Sequence, residues 1–149
     1  MKNLTTILFL CFIIEITVPG CKKEKYTPTN IVLYDKPLET IQLYIQGKWK
    51  LQYAYGGLST HKYIDRYNSY MILSSDHIII GNDSTGIVVD TNITWVRAEI
   101  GYTDSTYLLS YSWKGYLWPE HYVVDQIKCD TLMIREYVSD SYTYYYTKY

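Results

Sequence analysis

Gly47-Lys48-Trp49-Lys50-Leu51-Gln52-Tyr53-Ala54-Tyr55 alternates with a period of two. Trp49, Leu51, Tyr53 and Tyr55 fall on one side, and Lys48, Lys50 and Gln52 on the other. Successive side chains of a strand point to opposite faces of its sheet, so the segment reads as a strand with one buried face. Just upstream the period changes. Leu38, Ile41 and Ile45 recur at i, i+3 and i+7 behind Asp35 and Pro37, and Gly47 follows. That spacing predicts one short helix that opens near Pro37 and stops at the glycine.

Downstream, strand-like runs recur at Tyr70 to Leu73, His77 to Ile80, Ile87 to Asp90, Ile93 to Ile100, Tyr107 to Trp113, Tyr116 to Ile127, Thr131 to Val138 and Tyr142 to Lys148. Turn-forming residues separate them, among them Ser74-Ser75-Asp76, Gly81 to Gly86, Lys114-Gly115 and Ser139-Asp140-Ser141. Connections this short join neighbouring antiparallel strands. A chain of roughly eight such strands removes its exposed edges most simply by closing into an up-and-down barrel. The expected fold is therefore all-β, an antiparallel barrel with one short N-terminal helix; a two-sheet sandwich is the alternative.

Composition narrows the function classes. The chain has 149 residues, enough for one domain, and 19 are Tyr against 2 Phe. Tyrosine favours strands and surfaces that are apolar on one side and wet on the other. Lys plus Arg number 14 and Asp plus Glu 15, with no basic stripe, so the charge that nucleic-acid binding requires is missing.

The N-terminus reads as an address. Lys2 precedes a mostly apolar run, Ile7 to Val18, interrupted by Glu15 and too short to span a bilayer as a mature helix. The run ends in Val18-Pro19-Gly20-Cys21, followed by Lys22-Lys23-Glu24-Lys25. This resembles the lipobox of bacterial lipoproteins, which implies that Cys21 is acylated and becomes the first residue of the mature chain; an ordinary secreted protein is the alternative. The division expected is a lipoprotein signal peptide over 1–20, a lipid-anchored tether over 21–36 and a barrel domain over 37–149. Stable anchoring needs more than one acyl chain, which a lipoprotein cysteine supplies. Lys22 stands where an aspartate is associated with inner-membrane retention, so the outer membrane is the expected location.

Two ends of the domain carry a family resemblance. Gly47-Lys48-Trp49, following a short helix, resembles the G-x-W signature of lipocalins. Gln46 to Leu51 is similar to the opening of lipocalin-like lipoprotein domains of Gram-negative bacteria. Their closing hairpin is matched by Ile127-Lys128-Cys129-Asp130-Thr131-Leu132 and Tyr142 to Lys148. The resemblance implies a structural barrel base in which Gly47, Trp49 and Lys148 meet, the lysine over the indole, with Arg135 as the rival cation. It also implies small hydrophobic cargo.

Chemistry beyond binding has little support. His61, His77 and His121 fall on separate elements, and no cysteine pair stands at metal-ligand spacing, so neither a metal nor a cofactor is expected. Cys129 is a lone thiol in a polar turn without a base nearby in sequence. Gly81 to Gly86 is rich in oxygen donors but lacks the spacing of a calcium loop and reads as a hairpin turn. Asp130-Thr131-Leu132 resembles a periplasmic O-glycosylation acceptor, and a plain turn is the favoured reading. Two functions follow, neither catalytic. In the first, Tyr53, Tyr55, Tyr111 and Trp113 line a lumen for a small hydrophobic ligand. In the second, the lumen is filled and the domain contacts another envelope protein or a glycan.

Overall fold

A computed structural model describes residues 29–149 apart from 59, 101–103 and 115–117. Strand β1 (Asn30–Val32) comes first, and helix α1 (Leu38–Ile45) second. Strands β2 (Gly47–Gly56), β3 (His61–Ile64), β4 (Tyr70–Leu73), β5 (His77–Asn82) and β6 (Gly86–Asn92) follow. The chain continues through β7 (Thr94–Ile100), β8 (Asp104–Tyr111), β9 (Glu120–Lys128), β10 (Thr131–Glu136) and β11 (Tyr142–Lys148). All pairings are antiparallel, and the sheet order is β6-β5-β4-β2-β11-β10-β9-β8-β7, with β1 added to β9 and β3 to β2. Among the described residues the architecture is a curled, antiparallel sheet with one helix.

The helix forms where the 3.6-residue period placed it. Pro37, at φ −54°, precedes its first turn, and Ile41 and Ile45 are fully buried. Gly47 then turns the chain into β2 at φ +123°, a backbone conformation in which a Cβ would be strained.

Three elements differ from the sequence reading. The spacer expected up to residue 36 belongs to the fold from 29 onward. Asn30, Ile31 and Val32 pair with Lys128, Ile127 and Gln126, Leu33 is fully buried, and its N–H donates to the carbonyl of Asp125. The described domain therefore begins before residue 37, because Ile31 and Leu33 supply apolar contacts that a solvated tether would waste.

The second difference is closure. A barrel closed by hydrogen bonds was expected, yet the sheet path ends at β6 and β7, which are consecutive in the chain. β6 pairs with β5 and β7 with β8, so the two behave as halves of one long strand bent at the buried Ile93, whose N–H donates to Asp76 O. The covalent chain, not a ladder, joins the two ends of the curl.

The third is β3, which falls between the strand-like runs of the sequence. All four of its residues are exposed, so no alternation marks it. β3 and β4 flank successive halves of the same strand, pairing with Tyr53–Gly56 and Gly47–Lys50 of β2. Between them, both carboxylate oxygens of Asp65 accept hydrogen bonds from the Tyr67–Ser69 turn.

The core lies inside the curl. Trp49, Met71, Leu73, Ile78, Leu109, Val124, Ile127, Leu132 and Ile134 form it, closed at one end by Ile41 and Ile45 of α1. That end, here the base, also holds Gly47, Leu73, Lys128, Thr131 and Lys148, as the strand registers require. Gly56, Glu120, Glu136 and Tyr142 stand at the opposite rim. Among the described residues no helix is long and apolar enough to cross a membrane.

Candidate functional site

The base shows why β2 begins as it does. Trp49 is 1% exposed, and its indole Nε1 donates to the carbonyl of Ile45 at 2.7 Å, tying the strand to the last turn of α1. Trp49 and Lys148 are direct register partners, and Lys148 Nζ lies 5.5 Å from the indole centroid, within cation–π range. Arg135 is engaged elsewhere, in an ion pair with Asp125 at 3.3 Å. The lysine, not the arginine, sits over the tryptophan.

Above the base the alternation of β2 is interrupted. Tyr145 of β11 pairs with Tyr53, but the next residue, Tyr146, pairs with Leu51, so Gln52 is an extra residue. Its side chain donates to Thr147 Oγ1 instead. One inserted residue exchanges the two faces of everything beyond it. Ala54 therefore turns inward and is buried, while Tyr53 and Tyr55 turn outward. Tyr53 stacks on Tyr145 at 4.3 Å between centroids, and Lys62 Nζ covers the Tyr53 ring at 4.1 Å. Tyr55 is exposed.

The expected lumen lining is corrected accordingly. Of Tyr53, Tyr55, Tyr111 and Trp113, only Tyr111 faces the interior cavity. Trp113 lines a separate shallow groove along Ile87 to Thr91 of β6, because β8 ends at Tyr111 and the chain beyond it runs past the sheet end.

The cavity itself has a volume of about 260 Å³. Ile78, Ile80, Met71 and Leu51 come from the neighbouring strands β5, β4 and β2, and Leu109 and Ile134 from β8 and β10. Tyr70, also in the lining, packs against Gly81, where a Cβ would meet its hydroxyl and the Gly86 carbonyl, each at 2.7 Å. Four tyrosines complete the lining: Tyr111 from β8, Tyr122 from β9, and Tyr144 and Tyr146 from β11. Tyr111 and Tyr122 stack at 5.8 Å, Tyr122 meets Tyr144 edge-on at 6.1 Å, and Tyr144 leans on Tyr146 at 6.5 Å. Sequence reasoning missed Tyr122, Tyr144 and Tyr146. The period-two spacing of Tyr144 and Tyr146 was the available signal, masked because Tyr142, Thr143 and Tyr145 give both faces of β11 similar bulk.

These rings place hydroxyls in a poorly solvated site. Burial pushes the Tyr111 hydroxyl up to about 12, with Glu120 and Glu136 adding to the rise and a hydrogen bond with Tyr122 opposing it. Burial likewise raises Tyr122, Tyr144 and Tyr146 well above the usual tyrosine range. For Tyr144 a hydrogen bond donated to Glu136 is the next cause. All four are neutral hydroxyls at physiological pH, able to donate or accept. The hydroxyl of Tyr146 makes no hydrogen bond to another described residue. The site suits an uncharged guest with an apolar body and a hydrogen-bonding group.

The other polar candidates among the described residues fall on separate elements. His61 lies on exposed β3, and His77 holds Asp90 Oδ1 at 2.7 Å and Asn92 Oδ1 at 3.0 Å across β6. These hydrogen bonds, with Asn92 the larger cause, raise the His77 pKa. His121 Nδ1 is buried without a partner. No group of three or more His, Cys, Asp and Glu positioned for a metal exists among the described residues. Asn82 Oδ1 accepts the N–H groups of Ser84 and Thr85, so the oxygen-rich loop is the turn between β5 and β6. Cys129 is exposed in the tight β9–β10 turn. Cys21 and the signal-peptide reading lie outside the described residues.

Comparison of the chain with protein-family models, with curated proteins and with solved structures finds no match.

Proposed function

We propose that this chain is a lipid-anchored, non-catalytic lipoprotein of the Gram-negative outer membrane whose lipocalin-like barrel holds one small, uncharged ligand. The tyrosine-lined cavity of about 260 Å³ carries the proposal. Its volume lies just below the roughly 300–1,000 Å³ of drug-sized ligand sites, which suits a small guest, and its makeup, apolar walls with a few convergent polar groups, is that of a binding pocket. The Trp49–Lys148 contact supports the lipocalin-like reading, because Gly47-Lys48-Trp49 and Lys148 are the residues on which that resemblance rests. The lipobox at Cys21 supports the anchor.

A second reading, an interaction module that contacts another envelope component, is favoured by β3. Its four residues are exposed, and Tyr63 and Ile64 among them are large and apolar.

Native mass spectrometry of the detergent-extracted full chain, after exposure to an envelope lipid extract, tests the choice. Cavity binding predicts one adduct per chain. Tyr146→Phe removes one unshared hydroxyl and should weaken the adduct about fivefold, the equivalent of one ordinary hydrogen bond. A persistently adduct-free protein would leave the interaction-module reading.

A further inference from the structure

We infer that the base of the domain is a membrane-docking face that rests on the bilayer holding the acyl chains. This inference depends on the proposed lipid anchor at Cys21. The base gathers Thr29, Leu43, Tyr44, Trp49, Asp130 and Lys148 around one shallow depression.

Three observations select a bilayer as the occupant. The first is where the chain arrives. Thr29 lies at the base, bound through its N–H to Asp130 Oδ1 at 2.9 Å, and residues 22–28 separate it from Cys21. Even fully extended, that stretch spans only about 25 Å. The base therefore cannot stand far from acyl chains on Cys21.

The second is the outward side of α1 and its neighbours. Ile41 and Ile45 satisfy the core, yet Leu43, on the other side of the helix, is 69% exposed and Tyr44 is 39% exposed. Tyr149, whose N–H donates to Lys48 O at the base, is 68% exposed. Apolar and tyrosine side chains together suit the headgroup boundary, where a ring is half-buried and its hydroxyl stays wet.

The third is charge. Lys48, Lys128 and Lys148 stand at this end, and Lys22, Lys23 and Lys25 precede it in the chain. Of the acidic residues at this end, Asp130 accepts the Thr29 N–H, while Asp76 in the β4–β5 turn and Glu39 on α1 offset part of the positive charge. Cations beside an apolar patch match anionic headgroups. Docking in this way points the tyrosine end of the cavity, near Glu120 and Glu136, away from the membrane.

The test uses the full chain reconstituted in vesicles of phosphatidylethanolamine and phosphatidylglycerol, with Cys129→Ser to remove the exposed thiol. A fluorophore is attached at Leu43→Cys or, at the rim, Ser139→Cys. Lipid-borne nitroxide should quench the label at 43 several-fold more strongly than the label at 139. Lys128→Gln should lower the ratio of docked to undocked protein about fivefold, as expected for one cation near an anionic surface. Equal quenching at the two positions in protein that floats with the vesicles overturns docking and leaves the anchor standing. Protein that does not float, and whose Cys21 takes up the fluorophore, overturns the anchor and docking with it.

Discussion

Replacing Trp49 tests how the helix, the first long strand and the last strand are joined. The side chain is almost wholly buried, donates to Ile45 O at 2.7 Å and lies beneath Lys148 Nζ at 5.5 Å. Trp49→Ala deletes a buried ring, and truncations of this kind cost about 3–5 kcal/mol. That is a large share of the roughly 5–15 kcal/mol that holds a domain folded. Trp49→Phe keeps most of the apolar volume and loses the indole N–H, so its cost should be about 1–2 kcal/mol. Lys148→Met keeps the stem and removes only the charge, with an expected cost of about 0.5–1 kcal/mol. Urea unfolding followed by far-ultraviolet circular dichroism measures all three, and an unchanged denaturant slope would show that the transition is still the same one. The reasoning is refuted if Trp49→Ala lies within about 1 kcal/mol of wild type, or if Trp49→Phe costs as much as Trp49→Ala.

Leu33→Ala should destabilise the domain by about 2–5 kcal/mol in the same assay, whereas a residue in a solvated tether would cost almost nothing. Alkaline titration should weaken the fold: stability is undiminished below about pH 10, where unfolded tyrosines are neutral, and falls as pH rises towards 12, because the buried hydroxyls resist ionisation. Tyr111 alone accounts for about 2–3 kcal/mol of that loss once ionised, and Tyr111→Phe should reduce the alkaline slope measured by urea unfolding at stepped pH. Cys129 and Asp130 both adopt left-handed backbone conformations, at φ +48° and +57°, in the two-residue turn between β9 and β10. Cys129→Asn, a residue suited to that conformation, should raise the unfolding midpoint by the equivalent of about 0.5 kcal/mol, and a fall would show that the cysteine side chain is itself stabilising.

Helix α1 and most strands were legible because each carries its own period and its own turn residues. The inward placement of Trp49 and Leu51 was legible for the same reason. Tyr53 and Tyr55 were assigned to the wrong face because the extra residue at Gln52 is defined by its pairing with β11, a contact almost a hundred residues away in sequence. Short β1 was hidden because three residues cannot establish a period, and its evidence is Leu33, whose burial depends on β9. That β6 and β7 end the sheet path without pairing to each other was not legible, because the break between their runs reads equally well as a hairpin turn. Composition announced an abundance of tyrosine, but only the register of β8, β9 and β11 decides which four of them share the cavity.

The central claim is that those four rings receive a ligand, and tyrosine-selective carbon-13 NMR during titration with an envelope lipid extract tests it most directly. Binding in the cavity predicts saturable shifts confined to Tyr111, Tyr122, Tyr144 and Tyr146, with Tyr53, Tyr55 and Tyr145 on the outer face unmoved. Shifts confined to the outer tyrosines, or none at all under conditions that saturate the extract, would contradict it.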